Sequence, residues 1–165
     1  MSISLLPKII ANALTDISPC FLQKRGIRLL MLDFDNTIVP YTTNTPTPEM
    51  DRWLQEMKQS SIFICVVSNS KHDRVKDFCH RYGIACITHA QKPFSRGIRA
   101  CMAQFCVKST ECALAGDQIY TDTLGANYCG VTSILVKAID NHNFWLKARH
   151  VLEMPFILAA KKRRI

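Results

Sequence analysis

The fold is decided by the stretch Leu30-Met31-Leu32-Asp33-Phe34-Asp35-Asn36-Thr37, an apolar run that ends in two carboxylates and a turn-forming asparagine. Residues two apart on an extended chain point to the same face. Asp33 and Asp35 are therefore predicted to approach one point, where a buried strand runs out into a loop. Two carboxylates so close repel each other unless a cation or a shared proton intervenes. Mg²⁺ takes oxygen ligands and tolerates a neighbouring phosphate, so this stretch predicts a magnesium site.

Composition places the chain among globular proteins of the cytoplasm. Its 165 residues correspond to about one domain, and 48% of them are hydrophobic. No apolar run reaches the roughly 18 residues that cross a bilayer, and no secretion signal is recognisable. Eight cysteines occur without a Cys-x-x-Cys pair. We expect them to be reduced and to act as small core hydrophobes.

On either side of this stretch, apolar strand-like runs alternate with helical segments. Strands are predicted over 27–34, 62–67, 84–88, 112–115 and 132–136. Helices are predicted over 3–17, from Pro48 onward, over 71–82, from Lys92-Pro93 to about 106, after Asp117, and over most of 143–160. Runs that are apolar throughout favour an α/β fold, a Rossmann-like doubly wound parallel sheet with helices on both faces. We expect a single domain over 1–165, with an N-terminal helical segment (1–26), a core (27–136), and a C-terminal helix and basic tail (137–165).

Polar residues follow each predicted strand. Ser68 and Asn69 follow the second strand, Lys92 lies beyond the third, and Asp117 and Asp122 follow the fourth. Carboxyl ends of parallel strands meet at one edge, where ligands bind in such sheets. Taken singly, these residues could also be a helix cap, a solvated lysine and surface charges. Their recurrence at successive strand ends, together with the first pair, favours a site for a phosphate and a divalent metal.

The order of these motifs resembles the haloacid dehalogenase superfamily of phosphohydrolases, from about Ile27 to Val136. The matching motifs are Asp33-Phe34-Asp35-Asn36-Thr37, Ser68, Lys92, and Gly116-Asp117 to Asp122. The complete motif sequences, with Asn127 downstream, are similar to those of the IIIA-type, YqeG-like branch. That branch includes phosphatidylglycerophosphate phosphatases.

The resemblance implies a role for each matching residue. Asp33 would be the nucleophile that forms an aspartyl-phosphate, and Asp35 the general acid and base. Ser68, the Asn69 amide and Lys92 would bind phosphoryl oxygens, so that the catalytic set is Asp33, Asp35, Ser68 and Lys92. Mg²⁺ would be held by Asp33, the Asp35 carbonyl and Asp117, with Asp122 as a direct or water-mediated ligand.

The short spacings between motifs leave no room for a cap domain, so the site is predicted to be open and suited to a large substrate. The net charge is +8, and residues 71–108 carry eight basic and two acidic residues, a net of +6. The cluster Lys161-Lys162-Arg163-Arg164 adds to this excess. Such charge implies anionic partners. Apolar residues near both termini are predicted to lie on an anionic bilayer, although they could equally pack on the sheet. They are Leu5, Leu6, Ile9, Ile10 and Leu14 near the N-terminus, and the apolar residues within 144–158 near the C-terminus.

We therefore expect a Mg²⁺-dependent phosphatase of a lipid head group, namely of phosphatidylglycerophosphate in phospholipid biosynthesis. It would be cytoplasmic, with peripheral contact to the inner membrane face and no nucleic-acid partner. Two alternatives stay open. One is a phosphatase of the same fold that acts on a nucleotide, a nucleic-acid end or another soluble phosphate. The other is a non-enzymatic phospho-acceptor domain.

Overall fold

A computed structural model describes residues 4–140 and 154–165. They form one six-stranded sheet in which every strand pairing is parallel. The strands lie in the order β1-β6-β5-β2-β3-β4. Their bounds are β1 Ile9–Ala11, β2 Leu29–Leu32, β3 Phe63–Val67, β4 Ala85–Ile87, β5 Cys112–Gly116 and β6 Thr132–Val136. The predicted α/β doubly wound sheet is confirmed.

Strand β2 lies in the middle of the sheet and is buried along its whole length. It pairs with β3 on one side and with β5 on the other. Leu30 and Leu32 pack into the hydrophobic cluster on one face, whereas Leu29 and Met31 pack into the cluster on the opposite face. Because both faces are covered, this strand is apolar throughout instead of alternating with polar residues.

Five α-helices join the strands: α1 Pro19–Gln23, α2 Pro48–Gln59, α3 Asp73–Tyr82, α4 Ser95–Gln104 and α5 Leu124–Tyr128. Helices α2 and α3 cover one face of the sheet, and α4 and α5 cover the other. The Thr47 hydroxyl accepts a hydrogen bond from Met50 N at the start of α2, and Gly83, at φ 61°, ends α3. The segments from β2 to β3 and from β3 to β4 contain only α2 and α3, so neither carries a cap domain.

The predicted helix over 3–17 is wrong. Residues Ile9–Ala11 form β1, which pairs with β6 at one edge of the sheet, and Leu14–Asp16 form a single 3₁₀ turn. Pro7 has no N–H and would have interrupted a helix there. The Asn127 side chain instead donates hydrogen bonds to the carbonyls of Ser4 and Leu6, at 2.7 and 3.0 Å. The folded core therefore begins before the predicted boundary at residue 27 and includes buried residues between Ile9 and Leu22.

The basic residues near the C-terminus are folded against the same edge. Lys161–Arg163 form a 3₁₀ turn, and Arg163 Nη1 donates to the Pro7 carbonyl at 2.9 Å. Ile165 N donates to the Ile10 carbonyl, also at 2.9 Å. Residues 154–159 are helical, and the predicted helix over 143–153 lies outside the described residues. The expected basic tail is thus part of the folded structure.

Two composition-based expectations can be compared with the structure. All eight cysteines are free, and five of them are buried, as expected for small core hydrophobes: Cys65, Cys79, Cys101, Cys112 and Cys129. Within 4–140 and 154–165, no helix has the length and hydropathy required to span a bilayer.

Candidate active site

The sheet itself brings the predicted site residues to its carboxyl edge. Asp33 N donates to the Ala115 carbonyl at 2.9 Å, so the pairing of β2 with β5 extends to this residue. In the same way Ser68 N donates to the Ile87 carbonyl at 2.9 Å. Backbone hydrogen bonds thus fix Asp33 and Ser68 where their strands end, as expected for ligand sites in parallel sheets.

A buried ion-pair triad lies at the centre of this edge. Lys92 Nζ is 2.6 Å from Asp33 Oδ1 and 2.7 Å from Asp122 Oδ1. All three residues are at most 6% exposed. A second oxygen of Asp122, Oδ2, accepts a hydrogen bond from Gln118 N at 3.1 Å. Asp122 is therefore held between a backbone amide and the Lys92 ammonium.

The triad contains two carboxylates and one ammonium, and this imbalance shifts the pKa values of its members. Burial, with the neighbouring carboxylates, raises the pKa of Asp33 to about 6 even though Lys92 opposes the shift. Burial alone would lower the pKa of Lys92, but its ion pairs with Asp122 and Asp33 raise that pKa above the usual range. The ammonium is thus charged at neutral pH, and one cation does not satisfy all the surrounding carboxylates.

Three carboxylates could share a metal ion here. Within the described part of the chain, oxygens of Asp33, Asp117 and Asp122 lie within 4.8 Å of one another, and all three residues are buried. Thr37 Oγ1 lies 3.5 Å from Asp117 Oδ1, so the first and fourth motifs meet directly. Buried carboxylates in excess over cations favour a bound divalent ion, and the donor set is the all-oxygen type that Mg²⁺ prefers.

The structure gives Asp35 different neighbours from Asp33. Strand β2 ends at Leu32, so the extended geometry that would point both carboxylates to one place does not continue. Asp35 Oδ1 lies 3.4 Å from Arg74 Nη1, and its carboxylate is not in the acidic cluster. Burial raises the pKa of Asp35, and Arg74 opposes that shift. A carboxyl with a raised pKa suits proton transfer.

Arg74 was missed by the reading of the sequence. It lies in the first turn of α3, where an arginine is usually solvated. Instead its guanidinium donates to the carbonyls of Tyr41, Pro40 and Thr43 at 2.9, 3.1 and 3.0 Å. It also lies 5.2 Å from the centre of the Phe34 ring. This one side chain thus fixes the loop after the first motif beside Asp35. No residue spacing signals this role.

Ser68 and Asn69, which follow β3, contribute different hydrogen bonds to the candidate active site. Ser68 is 1% exposed, and its hydroxyl accepts a hydrogen bond from Ser70 N at 3.0 Å. The exposed Asn69 side chain binds the backbone of Lys92 twice, accepting from its N at 2.7 Å and donating to its carbonyl at 2.8 Å. The second motif therefore holds the third in place, which spacing alone did not predict.

Asn36 anchors the far side of the first motif. Its φ of 63° places it in the left-handed region that asparagine tolerates better than most residues. Its side chain accepts from Asp140 N at 2.8 Å and donates to the Asp140 carbonyl at 2.7 Å, and its carbonyl accepts from Ile139 N at 3.0 Å. The segment after β6 is thereby attached to the residue next to Asp35.

Gly116→Ala should disrupt this site. A Cβ on Gly116 would overlap the Asp122 side chain, which is already bound at both oxygens. We expect the unfolding free energy in urea to fall by about 1–3 kcal/mol, together with the catalytic activity that the sequence motifs predict. Gly26→Ala is the control, because a Cβ there meets no atom within 4 Å and only its φ of 69° is strained. Activity in Gly116→Ala equal to that of Gly26→Ala would contradict the close contact.

The family described as mitochondrial PGP phosphatase matches residues 2–139 of this chain. The chain belongs to this family. Over 159 residues this PGP phosphatase family member is 31% identical to the Bacillus subtilis (strain 168) protein named "Probable phosphatase YqeG". The alignment covers 96% of this chain and 92% of the Bacillus protein. The chain is therefore a phosphatase of the YqeG-like type, as its motifs predicted.

Solved structures with the same fold include hydrolases of the haloacid dehalogenase superfamily. A cobalt-bound deoxy-D-mannose-octulosonate 8-phosphate phosphatase from Haemophilus influenzae superposes with a TM-score of 0.54 at 10% identity, over 84% of this PGP phosphatase family member and 92% of that protein. A subfamily IA hydrolase of the superfamily from Geobacter sulfurreducens gives 0.53 at 12% identity, over 70% and 90% of the two chains. At such identities the likeness concerns the fold alone.

Proposed function

We propose that this phosphatase removes the terminal phosphate of phosphatidylglycerophosphate, as a step of phospholipid biosynthesis. The observation that carries the proposal is the buried Asp33–Lys92–Asp122 triad at the carboxyl edge of the sheet, in a chain of the PGP phosphatase family. The absence of a cap in the segments after β2 and β3 supports a large substrate, since an open site can receive a lipid head group.

In the proposed mechanism Asp33 is the nucleophile. A carboxylate oxygen of Asp33 attacks phosphorus, and the bond from phosphorus to the glycerol oxygen breaks as the new bond forms. Asp35 donates its proton to that leaving oxygen. It then accepts a proton from a water molecule, which attacks the same phosphorus, releases inorganic phosphate and restores the Asp33 carboxylate. The raised pKa of Asp35 supports its role as the proton donor.

Lys92, Ser68 and the Asn69 amide are proposed to bind the phosphoryl oxygens. Two observations support this role for Lys92. Its ammonium contacts Asp33 at 2.6 Å, and the Asn69 side chain holds its backbone through two hydrogen bonds. Such fixed donors stabilise charge that develops in the transition state. Asp122 is proposed to position Lys92, because its oxygens contact the ammonium and Gln118 N.

Mg²⁺ is proposed to be held by Asp33, Asp117 and the carbonyl of Asp35. The support is the cluster of carboxylates around a single ammonium, a set of hard oxygen donors. Bound there, the ion would reduce repulsion between the Asp33 carboxylate and the phosphoryl group.

Removal of the metal should abolish activity and lower stability. With Mg²⁺ at about 100 times its dissociation constant, we expect the unfolding free energy to exceed that in EDTA by about 3 kcal/mol. Asp117→Asn should lose most of this increase, while Asp73→Asn, whose side chain is 83% exposed, should keep it. Urea unfolding with and without Mg²⁺ measures both. An equal increase in the two variants would argue against Asp117 as a ligand.

The substrate is tested with a panel. Phosphate release from phosphatidylglycerophosphate in mixed micelles is compared with release from sugar phosphates, nucleotides and phosphorylated nucleic-acid ends, with Asp33→Asn as the blank. A marked preference for the lipid supports the proposal. A preference for a small soluble phosphate would overturn the lipid assignment and leave the phosphatase in place. We propose a cytoplasmic protein with peripheral contact to the inner membrane face.

A further inference from the structure

Four large apolar side chains are exposed on segments that leave the carboxyl ends of four different strands. Tyr41 follows β2, Phe94 follows β4, Tyr120 follows β5, and Ile139 follows β6. Their exposed fractions are 43%, 73%, 37% and 45%. We call these four residues the site rim. Single exposed apolar residues are normal on protein surfaces, but a group on one edge calls for an explanation.

Each member of the site rim is connected to the candidate active site, either by its nearness along the chain or by a backbone hydrogen bond. Phe94 is two positions after Lys92, and Tyr120 is two positions before Asp122, so each lies within about 7 Å along the backbone. The Tyr41 carbonyl accepts a hydrogen bond from Arg74, the residue that contacts Asp35.

The fourth member is attached in the same manner. Ile139 N donates to the carbonyl of Asn36, next to Asp35. The four segments that carry the site rim therefore lie next to the candidate active site, at the same edge of the sheet.

The exposed charges near the site rim are mostly positive, although Asp73 and Asp140 directly follow two of the stretches that surround it. The stretches 36–47, 69–72, 88–96, 118–121 and 137–139 contain no aspartate or glutamate. Their exposed cations are Lys71, Arg96 and Lys137, and the exposed His72 and His89 lie among them. A ring of apolar side chains interspersed with cations complements a surface that is apolar inside and anionic outside. An anionic bilayer has this arrangement, and aromatic side chains prefer its interface.

The N-terminal apolar residues are mostly withdrawn from the surface, and only Leu5 and Leu6 among them are half-buried. Ile9, Ile10 and Leu14, which the sequence suggested as membrane-facing, are at most 8% exposed and pack on the sheet. Of the C-terminal residues in that suggestion, Phe156 and Ile157 pack partly against the same edge, around β1 and β6, whereas Leu158 is 58% exposed and lies away from the candidate active site. Residues 144–152, which were included in that suggestion, lie outside the described part of the chain. Among the described residues, the site rim is the better candidate for a membrane contact.

We propose that the site rim docks on an anionic bilayer surface, so that the active site opens directly onto the lipid head groups. The inference rests on the proposed function, since it assumes a membrane phospholipid as substrate. It goes further by assigning the contact to particular side chains. The bilayer would then cover the open site, as a cap domain covers others.

Vesicle binding tests this proposal independently of catalysis. The full chain is sedimented with vesicles of phosphatidylglycerol and phosphatidylcholine in equal amounts, and with vesicles of phosphatidylcholine alone. The test variant is F94S/Y120S. The matched control is F63S/Y128S, which also removes one phenylalanine and one tyrosine that are 45% and 38% exposed. Phe63 begins β3 and Tyr128 ends α5, at the opposite edge of the sheet. Circular dichroism checks that both variants are folded.

We expect the wild-type protein to bind the anionic vesicles and to prefer them over pure phosphatidylcholine. F94S/Y120S should bind about tenfold more weakly or worse, because two rings no longer leave water on binding, whereas the control should bind like wild type. Equal binding by the two variants, or no binding by wild type, would overturn the proposal. So would a dimer in solution that F94S/Y120S alone disrupts in the absence of vesicle binding.

The two proposals fail in different ways. If the protein binds vesicles through the site rim but prefers a soluble phosphate in the substrate panel, the lipid assignment fails and the docking surface stands. If it hydrolyses the lipid in micelles while F94S/Y120S binds vesicles like the control, the docking surface fails and the lipid assignment stands.

Discussion

Asp33→Asn should reduce turnover of every phosphate substrate by about 10⁴-fold or more, since an amide nitrogen or oxygen cannot replace the attacking carboxylate. The variant keeps the shape of the side chain, so it should remain folded. Phosphate release measured with saturating Mg²⁺ gives the effect directly. Asp77→Asn, on the exposed face of α3, is the control and should retain wild-type turnover. Residual activity within tenfold of wild type would exclude Asp33 as the nucleophile.

The same variant reports on the charge of Asp33. Its pKa, raised by burial from 3.8 to about 6, means that the folded state holds this proton more tightly than the unfolded state. Between about pH 4 and pH 6 the contribution of Asp33 to the unfolding free energy should therefore fall as the pH rises. Asp33→Asn lacks this contribution, so its stability relative to wild type should increase over that window. Urea unfolding in metal-free buffer measures the difference, and a constant difference would contradict the shift.

Lys92→Met should have the second large effect. The methionine retains an apolar chain of similar length but leaves Asp33 and Asp122 buried without their cation. Removing one partner of a buried ion pair costs about 3–5 kcal/mol of unfolding free energy. Loss of a preorganised donor to the phosphoryl group should also slow turnover by about 10²- to 10³-fold. Urea unfolding and steady-state kinetics measure these two losses separately.

Comparison of two pH values distinguishes charge from packing. At pH 4 Asp33 is protonated, so the loss of stability in Lys92→Met should be smaller than at pH 7. Lys58→Met is the control, because the Lys58 ammonium is exposed and donates to a backbone carbonyl, that of Tyr82. An equal loss at the two pH values would mean that Lys92 matters for its volume and not for its charge.

The central sheet could be predicted because its signals are local. Strand β2 is apolar at every position, Thr47 and Pro48 mark the start of α2, and Gly83 marks the end of α3. The prediction of a helix over 3–17 failed because the apolar residues of this segment are spaced as on a helix. What makes Ile9–Ala11 a strand is the partner strand β6, and no local pattern announces that pairing.

The candidate site shows the same difference between residues that local patterns predict and residues whose partners are brought close only by the fold. Asp33, Lys92, Asp117 and Asp122 were placed together from the sequence because parallel strands end on one edge, and they do lie together there. Arg74 was not found, because its partners are backbone carbonyls and a carboxylate that are brought close only by the fold. The assignment of chemical roles to these residues stays a prediction until the variants above are measured.

The position of β1 has a consequence for the order of events during synthesis. Lys8 and Ser133, which are hydrogen bonded beside the β1–β6 pair, lie 125 positions apart in the chain. During translation β1 therefore has no partner strand, and Ile9 and Ile10 stay uncovered, until β6 has been synthesised. Ile165, which donates to Ile10, arrives later still. Until both segments have been synthesised, the apolar side chains of β1 are expected to be open to contacts with other proteins.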